Sequence, residues 1–170
     1  MILNTTRFGK LEIEPEKVIE MPDGMVGFGE RSFVLLNPGE GVPFYWFQST
    51  ESPNLAFVVT EPTRFVPGYE VKLTREEYDK LHLEPGDEII LLAVVTMSPD
   101  PRNVTINLQG PIVVNPVRLI ARQLVLDWSS TIRYPLVAAP GKAPVGTEPF
   151  RDLPLVTPPS LGVSLAMACV

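Results

Sequence analysis

One cysteine, Cys169, and one histidine, His82, are all that this 170-residue chain holds of those two types. A single thiol closes no internal disulfide, and without a second His or Cys nearby no transition-metal site is expected. Cys169 stands beside the C-terminus as an incidental thiol. His82 sits between Leu81 and Leu83 at the end of an acidic stretch, where the dipole at a helix C-terminus favours such a residue. No apolar run reaches the length of a membrane span; the best, Ile89–Met97, is too short. The opening residues, MILNTTRFGKLEIEPE, have neither the basic start nor the apolar stretch of a secretion signal. A cytoplasmic protein without membrane contact is therefore expected.

What the chain has in quantity is proline, with 19 residues spread throughout. Each removes a backbone donor and fixes φ, so long helices are not expected and short strands joined by turns are. Hydrophobic content of 45% and charged content of 20% fit an ordinary globular domain with a sizeable core. The net charge of −6 is unevenly spread. Met1–Asp100 holds 17 acidic and 8 basic residues, a balance of −9; Pro101–Val170 holds 3 and 6, a balance of +3. An acidic body repels nucleic-acid phosphate, so direct RNA or DNA binding is not expected. It would attract a basic protein partner, although a solvated surface that aids solubility accounts for the same charge.

Along the chain, Leu3–Phe8 and Leu11–Ile13 read as a hairpin around Gly9-Lys10, and Glu16–Met21 as a short strand ended by Pro22-Asp23-Gly24. Further strands are expected at Phe33–Leu36, Phe44–Phe47, Leu55–Val59, Glu88–Met97, Val104–Leu108 and Ile112–Asn115, with the second and third of these pairing. Glu88–Met97 should run through the centre. Gly24, Gly27 and Gly29 suit a tight turn, with Phe28 packed into the core. One helix is expected near 74–82, because Thr74 and Glu77 form a capping box and Tyr78 and Leu81 share a face. Val117–Leu126 fits helical spacing, but the Asn115-Pro116 turn favours a strand with Val117, Leu119, Ala121, Gln123 and Val125 on one side. The domain is expected to span 1–139. A Pro-rich extension follows at 140–170, read first as a flexible surface extension; the alternatives are that it lays Phe150, Leu153 and Leu155 against a groove on its own body or docks its final apolar residues in trans.

Candidate functional residues each carry two readings. Glu12, Glu14 and Glu16 alternate along an edge-like strand, as a docking rim for a basic partner or as charge that discourages edge-to-edge aggregation. Phe44-Tyr45-Trp46-Phe47 spans both faces of its strand, so either Tyr45 with Phe47 or Phe44 with Trp46 lines the core. The opposite face is a hot-spot candidate unless the sheet is covered on both sides. Asn107, Asn115 and Gln123 offer donors and an acceptor in fixed geometry but no acid–base chemistry. They suit the bracing of strand ends or the recognition of a peptide. Gly24–Gly29 lacks the Lys-Ser/Thr ending of a phosphate loop. No catalytic residues, cofactor or metal ligands are assigned. Two rival classes stay open: an enzyme using a carboxylate pair such as Glu88 with Asp127, or a carbohydrate- or small-ligand-binding β module using Trp46 or Trp128.

Three motifs, MPDGMVGF at 21–28, PFYWFQS at 43–49 and VTINLQGPIVVNPVRLIARQLVL at 104–126, closely resemble the flagellar assembly factor FliW family. The likeness runs in order from Met1 to about Val145. Pro22, Gly24, Gly27, Phe28, Phe47, Gln48, Asn107, Pro111, Asn115 and Gln123 carry the family's pattern, which marks membership rather than an interface. The resemblance implies a small β-rich cytoplasmic factor without chemical turnover. It implies two protein partners, flagellin before export and CsrA, a basic RNA-binding dimer that represses flagellin translation and is antagonised by free FliW. Relatives of that family usually end near the start of the Pro-rich extension. The architecture expected is all-β: a strongly bent antiparallel sheet closing toward a small barrel, with a monomer in the free state.

Overall fold

In the computed structural model, which describes residues 1–39, 42–127, 131–136 and 153–158, seven strands close a barrel. An N-terminal hairpin, β1 (Ile2–Thr5) and β2 (Gly9–Glu12), precedes it as a separate two-stranded sheet. The wall runs from β3 (Ile19–Glu20) through β4 (Ser32–Leu36), β5 (Tyr45–Ser49), β6 (Ala56–Thr60) and β7 (Ile90–Thr96). β7 pairs on one side with β6 and on the other with both β8 (Thr105–Ile106) and β9 (Ile112–Asn115). β9 forms a hairpin with β10 (Ile120–Gln123), and β10 meets β3 through Ile120 and Glu20 to complete the ring. That closing contact is parallel; the other wall pairings are antiparallel. β11 (Tyr134–Pro135) extends the sheet beside β8.

The alternation of side chains explains why strands that look apolar on both faces are stable. Phe33 and Leu35 of β4, Tyr45 and Phe47 of β5, and Ile112 and Val114 of β9 point into one interior core. Phe33 stacks on Phe47 with ring centres 4.5 Å apart. The intervening residues Val34, Leu36 and Trp46 face outward, yet the β1–β2 hairpin covers them with Leu3, Phe8, Leu11 and Ile13. Phe8 meets Trp46 edge-on at 5.5 Å, and the Arg7 guanidinium lies 4.6 Å from the Trp46 ring centre. On the other side the helix α1 (Arg75–Lys80) and its following turn bring Leu81 and Leu83 onto Val113 and Leu124.

The capping box forms as expected: the Thr74 hydroxyl accepts from the Glu77 amide at 3.3 Å, and the Glu77 carboxylate accepts from the Thr74 amide. Elsewhere the chain departs from expectation where a side chain bends the backbone. The strand expected over Glu16–Met21 contracts to Ile19–Glu20, because Pro15–Lys17 forms a 3-10 turn. The Asn107 carboxamide accepts from the Gln109 and Gly110 amides, both at 3.0 Å, turning the chain beyond Ile106 and shortening the strand expected to Leu108. Val117–Leu119 is a turn, with Leu119 at φ 51°, and the strand begins at Ile120. Of the face expected for it, Ala121 is buried, whereas Val117 and Val125 are exposed.

In the glycine turn, Gly24 and Gly27 adopt φ of 69° and 87°, but Gly29 does not need a positive φ. Met25 is buried, and Phe28, expected in the core, is 41% exposed with its edge on Phe57 at 5.0 Å. The boundary expected near 139 and the residue Phe150 lie outside the described residues. From the Pro-rich extension, however, Leu153 is buried in the interior core, and β12 (Leu155–Val156) pairs parallel to β4.

Candidate functional site

The acidic hairpin end is built by a change of direction. β2 stops at Glu12, Ile13 is buried, Glu14 stands before the 3-10 turn and Glu16 lies within it. The three carboxylates are exposed, but they do not alternate along one strand, because Pro15 starts the turn before Glu16 is reached. Glu14 pairs with Lys17 at 2.8 Å, leaving Glu12 and Glu16 as the residues of this set with no salt bridge among the described residues. Among the described residues β2 pairs with β1 alone.

Both faces of the aromatic strand are covered, the condition under which an exposed hot spot on β5 falls away. Tyr45 and Phe47 lie in the barrel interior and Trp46 beneath the hairpin. Phe44 is half-buried and stacks on Phe65 with ring centres 6.0 Å apart. Burial pushes the Tyr45 phenol above its ordinary range. The sugar-stacking reading loses Trp46 for the same reason; Trp128 lies outside the described residues.

The amides brace turns. Asn115 Nδ2 donates to the carbonyls of Leu81 and His82 at 2.9 and 3.1 Å, while its Oδ1 accepts from the amides of Val117 and Arg118 at 3.0 and 3.1 Å. Gln123 Nε2 donates to Gly110 O at 3.1 Å and its Oε1 accepts from the Val26 amide at 2.9 Å. Asn107, Gly110, Gln123 and Val26 thus form one connected bracket at a barrel end. A Cβ on Gly110 would meet Asn107 Nδ2 at 3.0 Å and Gln123 Nε2 at 3.1 Å. Buried Gln48 donates from Nε2 to the carbonyls of Ser49 and Leu55 at 3.0 and 2.9 Å, tying the β5–β6 turn.

The described surface holds open clefts beside two of these regions. One, of about 380 Å³, lies between the hairpin and β12 and is lined by Ile2, Lys10, Leu11, Glu12, Val156 and Thr157. The other, of about 490 Å³, is lined by Gly86, Asp87, Glu88, Asn115, Pro116 and Val117. Asp127, the proposed carboxylate partner of Glu88, does not line it. Among the described residues no three His, Cys, Asp or Glu side chains come together as a metal site, and no helix is long and apolar enough to cross a membrane.

Sequence reasoning missed the apolar residues left in solvent. Val26 is 64% exposed beside half-exposed Phe28, and Val117 is 87% exposed on the rim of the second cleft. A signal was present: Val26 and Phe28 sit between glycines in a tight turn, which cannot direct every side chain inward.

A sequence model described as FliW protein matches residues 2–136. The flagellar assembly factor FliW of Geobacter sulfurreducens is 52% identical over 147 residues, covering 85% of this chain and 92% of that one. That of Geotalea uraniireducens is 46% identical over 163 residues, covering 95% and 100%. A crystal structure of the flagellar assembly factor FliW superposes with a TM-score of 0.75 at 28% identity, covering 82% of this chain and 99% of its own.

Proposed function

The chain belongs to the FliW family of flagellar assembly factors, and from that premise we propose that it is a non-enzymatic regulator working by partner exchange in the cytoplasm. It holds flagellin before export. When flagellin is exported, the freed monomer binds CsrA and relieves repression of flagellin mRNA. The observation that carries this reading is the family match over residues 2–136.

The surface supports it through charge. Glu12 at the end of the β1–β2 hairpin and Glu14 and Glu16 at the 3-10 turn that follows it are all exposed, with Glu14 paired to Lys17. A basic RNA-binding dimer approaching this end meets exposed carboxylates, which speed encounter and fix orientation. The buried aromatics and the turn-bracing amides play a different part. Tyr45 and Phe47 pack the barrel interior, and Asn107, Asn115 and Gln123 brace its turns, so these residues serve the fold rather than touch the partner.

Titrating CsrA with the triple variant E12K/E14K/E16K tests the proposal. Affinity should fall by about tenfold or more and lose most of its salt dependence. Unchanged affinity would move the interface off this hairpin.

A further inference from the structure

The wall of the barrel has a seam that the chain fills with its own distant residues. β4 runs over five residues, and β3 covers only its first part, through Ile19 opposite Phe33 and Glu20 opposite Ser32. Beyond that point β12 takes over on β4, with Leu155 opposite Leu35 and Val156 opposite Leu36. The Asn37 amide donates to the Val156 carbonyl at 2.9 Å. Leu153, 4% exposed, enters the interior core, and Val156, 7% exposed, joins the outer layer beneath the hairpin. One short segment therefore reaches both layers of the fold through the same gap.

Its hold is slight. Two bridged residues make a pairing too short to be stable alone. The burial of Leu153 and Val156 is of the same order as the entropy lost in ordering the segment. On its outer side the seam borders the cleft of about 380 Å³ between Val156, Thr157 and the hairpin residues Ile2, Lys10, Leu11 and Glu12.

We propose that Leu153–Val156 is a self-bound strand occupying a strand-docking seam, and that it yields this seam to an extended segment of a partner protein. The incoming segment runs parallel to β4. It presents an apolar side chain to the interior core, and two residues further on a leucine- and valine-like pair, as Leu153, Leu155 and Val156 do. Main-chain hydrogen bonds to β4 supply affinity and the slots for these three apolar side chains supply selectivity, the division found in strand addition. The chain's own strand then sets a threshold, since a partner must outcompete a tethered rival. This inference stands apart from the identity of the partners proposed above.

Two measurements on the full chain test it. In the unaltered protein, the Asn37 amide should exchange with solvent at least tenfold faster than the protected amides of β7, reporting release of β12 without unfolding. Equal protection would overturn the proposal by making the strand an integral part of the wall. In the variant L153D/V156D, a labelled synthetic peptide of residues 151–158 should bind at least tenfold more tightly than to the unaltered chain, and restore Asn37 protection. Absence of peptide binding, with β7 still protected, would overturn it. So would a concentration-dependent dimer of the unaltered chain that the peptide does not dissociate, which would assign the seam to a second copy. If the variant loses β7 protection, the exchange measurement on the unaltered chain decides alone.

Discussion

The carboxamide of Asn115 donates to the carbonyl of Leu81 at 2.9 Å, joining the end of the helix to the β9–β10 turn across 34 residues of chain. The same side chain also receives the Val117 and Arg118 amides, so one buried residue closes two turns. Its donors serve the helix side and its acceptor serves the hairpin side.

Asn115→Ala strips four hydrogen bonds and leaves buried carbonyls unpaired, and stability should fall by ~3 kcal/mol. Asn115→Asp keeps the acceptor and loses the donors, placing a carboxylate against two carbonyls; it should be no less destabilising. Urea unfolding with unchanged slope checks both. A loss below ~1 kcal/mol for either would show that the turns hold without this bracket.

Gly24 adopts φ 69°, and a Cβ there would stand 2.9 Å from the Phe28 carbonyl oxygen, a backbone atom with little room to retreat. Gly24→Ala should therefore cost ~2 kcal/mol or more, from the left-handed conformation and the clash together. Gly29 has open space around its Cβ position and no positive φ, so Gly29→Ala should stay within ~0.5 kcal/mol of the parent. Paired thermal unfolding curves separate the two.

Tyr69 donates its hydroxyl to the Leu108 carbonyl at 2.6 Å, and burial pushes its pKa from 10.0 up to about 12. The unfolded chain loses this proton first, so its stabilising effect is complete below pH 10 and declines as pH rises toward about 12. Tyr69→Phe should cost ~1 kcal/mol near neutrality and make the alkaline loss of stability shallower. Part of that loss remains through Tyr45, whose phenol is also raised by burial. An alkaline limb identical in both proteins would remove Tyr69 as its source.

Much of the barrel was legible because its strands obey local rules. The capping box at Thr74 and Glu77, the β5–β6 hairpin and the central run of β7 follow from residue type and spacing alone. Closure of the ring did not, since the Ile120–Glu20 bridge joins residues 100 positions apart and nothing local specifies it. The aromatic strand shows the same limit at the candidate site. Tyr45 through Phe47 announce burial or binding equally well, and only the position of the β1–β2 hairpin over Trp46 decides between them. The amides were legible as hydrogen-bonding groups, but not which turns they would join. The docking of Leu153 and Leu155 was legible as one reading of the Pro-rich stretch, but its place beside β4 was not, because the gap that β3 leaves there is formed by residues far away in the chain.

The most direct test of partner exchange is light scattering on size-separated mixtures of this chain with flagellin and with CsrA from the same cell, separately and then together. The account predicts a complex with each partner alone and, in the three-way mixture, only those two complexes, with flagellin displacing CsrA as its concentration rises. A stable assembly containing all three proteins, or failure to bind either partner, would contradict it.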